Sequence, residues 1–224
     1  MSTRLHEVPQ RGDHQRQVST KERREVVMPI QLHRSTGHRE SWTVFSPCRT
    51  WRYRWVRVWD PEKPRLSWVI RNGSDANERH SDPTIRRCIN FARAWGYGGV
   101  DIAHLYGLVS QKPDMFTKFH SDPVGPDNDI HLASVCSQSD LTVLAWGPDV
   151  DPDRGHAAFQ TIWQCANYRR GSLAVLDWTY DAQPLHPLQA PADAALKCLT
   201  LNGPGYGFHE AEDPRWGYLA AGAV

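Results

Sequence analysis

Asn72, Ser74 and Asp75, crowded into one short polar run, and His186, which stands before a proline, are the side chains best suited to chemistry in this sequence. An asparagine amide has both donor and acceptor, so it can read a base edge or hold a water, although it cannot act as a general base. The Asp75 carboxylate can take a proton, and a neutral His186 can donate a hydrogen bond to a developing anion. Arg86 and Arg87, near the opening of a predicted helix, can bind phosphate. Trp146, just before Gly147, can stack on a planar ligand. Each has a plainer alternative. Asn72 and Ser74 suit the capping of a loop, His186 suits an extended structural segment, Arg86 and Arg87 suit a solvated helix face, and Trp146 suits the core.

The elements that must position these residues follow from periodicity. Trp51, Tyr53, Trp55 and Val58 interleave with Arg52, Arg54 and Arg57, the alternation of a half-buried strand. The same interleaving is also what a surface for single-stranded nucleic acid would need. Asp60 to Pro64 is a turn, and Leu66 to Ile70 a short strand, which together predict a hairpin entering the sheet. A helix is expected from Ser81-Asp82-Pro83, with Ile85, Cys88, Ile89 and Ala92 on its apolar face and Gly96, Gly98 and Gly99 ending it. Strand Gly99 to Leu105, helix Asp127 to Gln138, strand Leu141 to Ala145, helix Ala157 to Tyr168 and strand Leu173 to Leu176 continue the alternation. The expected architecture is therefore α/β, a three-layer and mostly parallel sheet with helices on both faces. Ligands of such sheets lie outside the carboxyl ends of the strands. Function should be sought in Arg71 to Asp75, His104 to Leu108, Trp146-Gly147 and Asp177 to His186.

With 224 residues, the chain holds one ordinary core plus extensions. Residues 1–45 are expected to be a disordered or irregular arm, 46–199 the α/β domain, and 200–224 an irregular, partly docked tail. A net charge of +1 leaves no global field for nucleic acid or membrane, so any such binding must be local. No apolar run approaches the roughly 20 residues of a membrane span, and the N-terminal stretch lacks the apolar segment of a secretory signal, so a cytoplasmic location is expected. Five dispersed cysteines fit reduced thiols, mostly small core residues. His104, His186 and Asp75 lack short ligand spacings, so no metal centre is expected, and no cofactor. Phosphate-loop, dinucleotide-binding and nucleophile-elbow motifs are all absent.

Several runs occur in a family-like order. They are Asn72-Gly73-Ser74-Asp75-Ala76, Asp82-Pro83-Thr84-Ile85-Arg86-Arg87-Cys88, Phe91 to Gly99, Asp122-Pro123-Val124-Gly125-Pro126-Asp127-Asn128-Asp129, Ala145-Trp146-Gly147 and Pro184-Leu185-His186-Pro187-Leu188. With them, about two thirds of the chain resembles the bacterial family of unknown function DUF1643. Where members usually read Asn-Pro-Ser-Thr-Ala-Asp, this chain has Asn72-Gly73-Ser74-Asp75-Ala76-Asn77. Where they often have Asn-Leu-Phe, it has His104-Leu105-Tyr106. A Thr-Lys-Asp-Gly segment is replaced by Thr179-Tyr180-Asp181-Ala182.

The layout of a polar loop after the first core strand and a late His-Pro segment is also similar to that of the uracil-DNA glycosylase superfamily. That likeness implies a base or nucleotide held near Asn72, and a water-mediated hydrolysis assisted by Asn72 or Asp75 and by His186. The competing expectations are a non-catalytic accessory protein with a degenerate site, and a nucleic-acid-binding module using the arginines around Trp51 and the N-terminal arm. The sequence leaves the oligomeric state open.

Overall fold

The computed structural model describes residues 30–35, 39–72, 82–109, 122–200 and 213–221. Its strands are β1 (Ile30–Ser35), β2 (Arg39–Phe45), β3 (Arg52–Val58), β4 (Arg65–Asn72), β5 (Gly99–Tyr106), β6 (Leu141–Ala145), β7 (Ser172–Val175) and β8 (Lys197–Thr200). The helices are α1 (Pro83–Ala94), α2 (Asn128–Ser137), α3 (Pro152–Arg169) and α4 (Arg215–Ala221). All eight strands join one sheet in the order β1-β2-β3-β5-β4-β6-β7-β8.

The sheet is mixed, which corrects the mostly parallel expectation. Four neighbouring pairs are antiparallel and three are parallel. Only β5-β4-β6-β7 forms a parallel unit, and the antiparallel strands extend it at both edges. The predicted hairpin between β3 and β4 is also corrected, because β5 lies between them, antiparallel to β3 and parallel to β4. Glycines permit this insertion. A Cβ at Gly98 would stand 2.0 Å from the Asp60 carbonyl oxygen, and the Gly98 carbonyl accepts from the backbone N–H groups of both Trp59 and Asp60. The turn is where sequence placed it, but its two strands are held apart by a third.

Alternate residues of the central strands feed two cores, as the period of two in a strand requires. Trp68, Ile70, Ile102, Val143 and Ala174 pack with Ile85, Cys88, Ile89 and Phe91 of α1. Val69, Ala103, Leu105, Leu144 and Val175 pack with Leu132 and Val135 of α2, Phe159 and Ile162 of α3, and Trp216 and Leu219 of α4. Helix α1 begins as expected: the Asp82 side chain accepts from the Ile85 N–H at 2.7 Å, and Pro83 opens the helix.

The flanking segments differ from the reading of residues 1–45 and 200–224. The former includes β1 and β2, a hairpin that pairs on β3 and in which Ile30 and Leu32, and Trp42 and Val44, alternate with other residues. The latter includes α4, anchored by buried Trp216 and Leu219. Cys88 and Cys136 are buried, but Cys48 and Cys198 are exposed, contrary to a core role for Cys198. Among the described residues no helix is long and apolar enough to cross a membrane.

The aromatic and arginine alternation of β3 is explained by packing. Tyr53 and Trp55 are buried, as is Arg52, whose Nη2 donates to His104 Nε2 at 3.2 Å. Arg54 forms a two-pronged ion pair with buried Asp101. These two arginines point inward, so the strand does not present them as a surface for nucleic acid.

Candidate functional site

The parallel unit has a topological switch point. The chain leaves β4 through α1 to β5 on one side, then crosses to β6 on the other side of β4. The chain runs from β4 and from β6 toward opposite sides of the sheet, and in open α/β sheets such a point, outside the carboxyl ends of the strands, is where a ligand crevice is expected. Arg71 and Asn72 close β4 at that end, and both are half-buried.

Arg71 bridges the switch point. Its Nη2 donates to the carbonyl oxygen of Asp149, in the loop after β6, at 2.8 Å. Asp149 takes a φ of +60°, the left-handed region that L-residues seldom occupy. The Asp149 carboxylate is 82% exposed and stays 4.0 Å from Nη1. Arg71 Nε is buried and has no hydrogen-bond partner.

His186 reaches the same end by a different route. The Gly147 N–H donates to the Pro184 carbonyl at 2.8 Å, which fastens the His186 segment to the end of β6. The contact is close: a Cβ on Gly147 would lie 2.9 Å from the His186 Cβ, and Gly147 has φ +79°. Burial holds the His186 imidazole below its usual pKa, helped by the Arg71 charge and opposed by Asp82. The Leu188 N–H donates to His186 Nδ1 at 3.4 Å, which places the proton of the neutral ring on Nε2. His186 is thus a neutral donor.

Tyr106 completes the wall. It lies opposite Asn72 in the β4–β5 register, and its hydroxyl accepts from the Asp151 N–H at 3.1 Å. Burial raises its pKa, while the Arg154 and Arg71 charges act in the other direction. Arg154 itself is occupied, donating to the Leu105 carbonyl and gripping Asp129 with both Nη atoms.

The structure brings Asn72 and His186 to one end of the sheet. The other expected residues take different places. Ser74 and Asp75 lie outside the described residues. Trp146 is fully buried in the core, and its indole N–H donates to Gln183 Oε1 at 2.9 Å, so its faces serve packing. Arg87 turns to the Ala190 carbonyl at 2.6 Å and lies over the Phe91 ring. Arg86 is exposed on α1. His104 is fully buried, neutral and bound by Arg52, and no metal-binding group of three side chains occurs among the described residues.

Sequence reading passed over Arg71, Tyr106, Asp149 and Gln183. Arg71 and Tyr106 fall within the post-strand segments singled out for function. Their roles depend on partners from the loop after β6, and no local spacing signals that pairing.

Residues 52–188 match the family described as "Protein of unknown function (DUF1643)". The chain belongs to the DUF1643 family. No curated protein and no solved structure matches the chain. The DUF1643 region runs from the first residue of β3 to Leu188, so it contains Arg71, Asn72, Tyr106, Gly147, Asp149 and His186. Strands β1, β2 and β8 and helix α4 lie outside it. Within it, Ala182 has φ +56°, a left-handed backbone that only a glycine adopts without strain.

Proposed function

We propose that this DUF1643 protein binds a nucleobase, free or within a nucleotide, in the crevice between the carboxyl ends of β4 and β6, and hydrolyses the bond from base to sugar when the sugar is present. The observation that carries this reading is the meeting at the switch point of the Arg71-Asn72 end of β4 with the His186 segment fastened on Gly147. Asn72 would read the base edge through its paired donor and acceptor. His186, neutral with its proton on Nε2, would donate a hydrogen bond to the departing base. The similarity of layout to uracil-DNA glycosylases supports attack of water on the carbon that bears the base. Its oxygen bonds to that carbon, the carbon–nitrogen bond breaks with its electron pair going to the base, and Asp75 takes the water proton.

The test is thermal unfolding of the full chain with bases, nucleosides and nucleotides, alongside Asn72→Ala and His186→Ala. A ligand at 100 times its dissociation constant stabilises by about 2.7 kcal/mol. At least one member of the panel should raise the melting temperature of the wild type, and Asn72→Ala should reduce that shift. If no compound shifts the wild type, the binding reading fails and the accessory role takes its place. A shift without product release would remove the hydrolysis and leave the binding.

A further inference from the structure

We propose that Arg71 is an anion-binding residue, so that the ligand of the β4–β6 crevice carries a phosphate or carboxylate group. The inference deepens the binding reading above and rests on it for the location of the ligand. A guanidinium has five N–H donors in a planar fork suited to two oxygens of an oxyanion. Arg71 uses Nη2 on a backbone carbonyl and leaves Nε buried without a partner. Its one ion-pair partner among the described residues is the 82% exposed carboxylate of Asp149, at 4.0 Å, which is too loose to occupy the fork. The Arg71 side chain is itself only 24% exposed, so its charge is partly withdrawn from water.

Among the described residues no other ion pair neutralises that charge. His186 is neutral, and Tyr106 keeps its hydroxyl proton. Asp82 and Asp151 each direct a carboxylate oxygen to a helix N-terminus, accepting from Ile85 and Arg154 N–H groups. The strained Asp149 backbone aims its carbonyl at Nη2, an arrangement that orients the guanidinium without satisfying it. A buried and unsatisfied N–H at a crevice is the feature an incoming oxyanion would complete.

The experiment is calorimetric titration of the full chain, at constant ionic strength, with nucleoside monophosphates, the matching nucleosides, inorganic phosphate and acetate. It uses the wild type, Arg71→Gln and Asp149→Asn. Asp149→Asn keeps the backbone bond to Arg71, suits a positive φ, and removes the adjacent negative charge. The wild type should bind at least one monophosphate about tenfold or more tightly than its nucleoside. Arg71→Gln should erase the ratio of monophosphate to nucleoside affinity measured within that variant, while Asp149→Asn should raise anion affinity severalfold.

Phosphate and acetate identify which oxyanion is preferred. If no nucleoside or nucleotide binds, the nucleobase reading fails on its own; binding of phosphate or acetate to the wild type but not to Arg71→Gln still upholds the anion site. Equal anion affinity in wild type and Arg71→Gln overturns the proposal. Should Arg71→Gln not fold, unchanged or weakened anion binding in Asp149→Asn overturns it instead.

Discussion

Two glycines, Gly147 beside the crevice and Gly96 at the opposite end of the sheet, separate the cost of a side-chain contact from that of backbone strain. Gly147 (φ +79°) and Gly96 (φ +84°) share a left-handed backbone, but a Cβ at Gly96 meets nothing within 4 Å while one at Gly147 meets His186 at 2.9 Å. Gly96→Ala should therefore cost only the backbone strain, about 1 kcal/mol, whereas Gly147→Ala should cost more and shift His186. Urea midpoints for the two variants, with ligand shifts measured on both, check this; equal losses would remove His186 from the contact.

Ala182 offers the opposite experiment. Its φ of +56° sits in a short loop tied by Thr179 N–H to the Gln183 carbonyl and by Gln183 N–H to Thr179 Oγ1. Ala182→Gly should raise stability by about 1 kcal/mol, read as a higher urea midpoint at unchanged slope. A lower midpoint would show that chain entropy outweighs the strain.

Among the elements, the join between β3 and β5 combines a backbone ladder with a buried ion pair, and Arg65 stands 4.0 Å from the same carboxylate. Asp101 keeps only 3% of its side chain exposed and holds Arg54, which is 12% exposed. Asp101→Asn leaves that arginine without its counter-charge and should destabilise by roughly 3 kcal/mol. Replacing both partners, Arg54→Met with Asp101→Leu, should recover most of the loss in denaturant unfolding; no recovery would mean that the pair specifies the strand order. This join also marks how far sequence could see. Helix α1 was legible to its cap because Asp82, Pro83 and the spacing of Ile85, Cys88 and Ile89 are local signals. Strand β5 was legible as a strand, but its place between β3 and β4 was not, since pairing partners leave no mark on a period-two pattern. The same limit applied at the site. Asn72 and His186 were visible as residue types after strands, whereas Arg71 acquires its role only through Asp149.

For the whole molecule, the buried histidines set the response to acid. Burial holds His104, His131 and His186 below their ordinary value, so each stays neutral in the folded protein while its unfolded counterpart takes a proton below about pH 6.5. Stability is therefore fully present above that pH and is lost as pH falls, by up to about 1.4 kcal/mol per pH unit for each histidine. Denaturation midpoints between pH 7.5 and 5.5 should show the decline, and His104→Gln should flatten it; an unchanged slope in that variant would clear His104 of any part. The lowered Asp177 and Asp213 carboxylates act only in more acid solution.

The position of β4 carries a consequence for biogenesis. Its Trp68 faces Ile102 on one side and Val143 on the other, so both neighbours leave the ribosome after it. The hairpin of β1 and β2 can pair with β3 early, and α1 and β5 can cover the apolar side chains of β4, but the other edge of that central strand stays unpaired until β6 has been synthesised. Nascent chains halted before Leu141 would present that unpaired strand edge, making them the form of this protein most open to pairing with another chain.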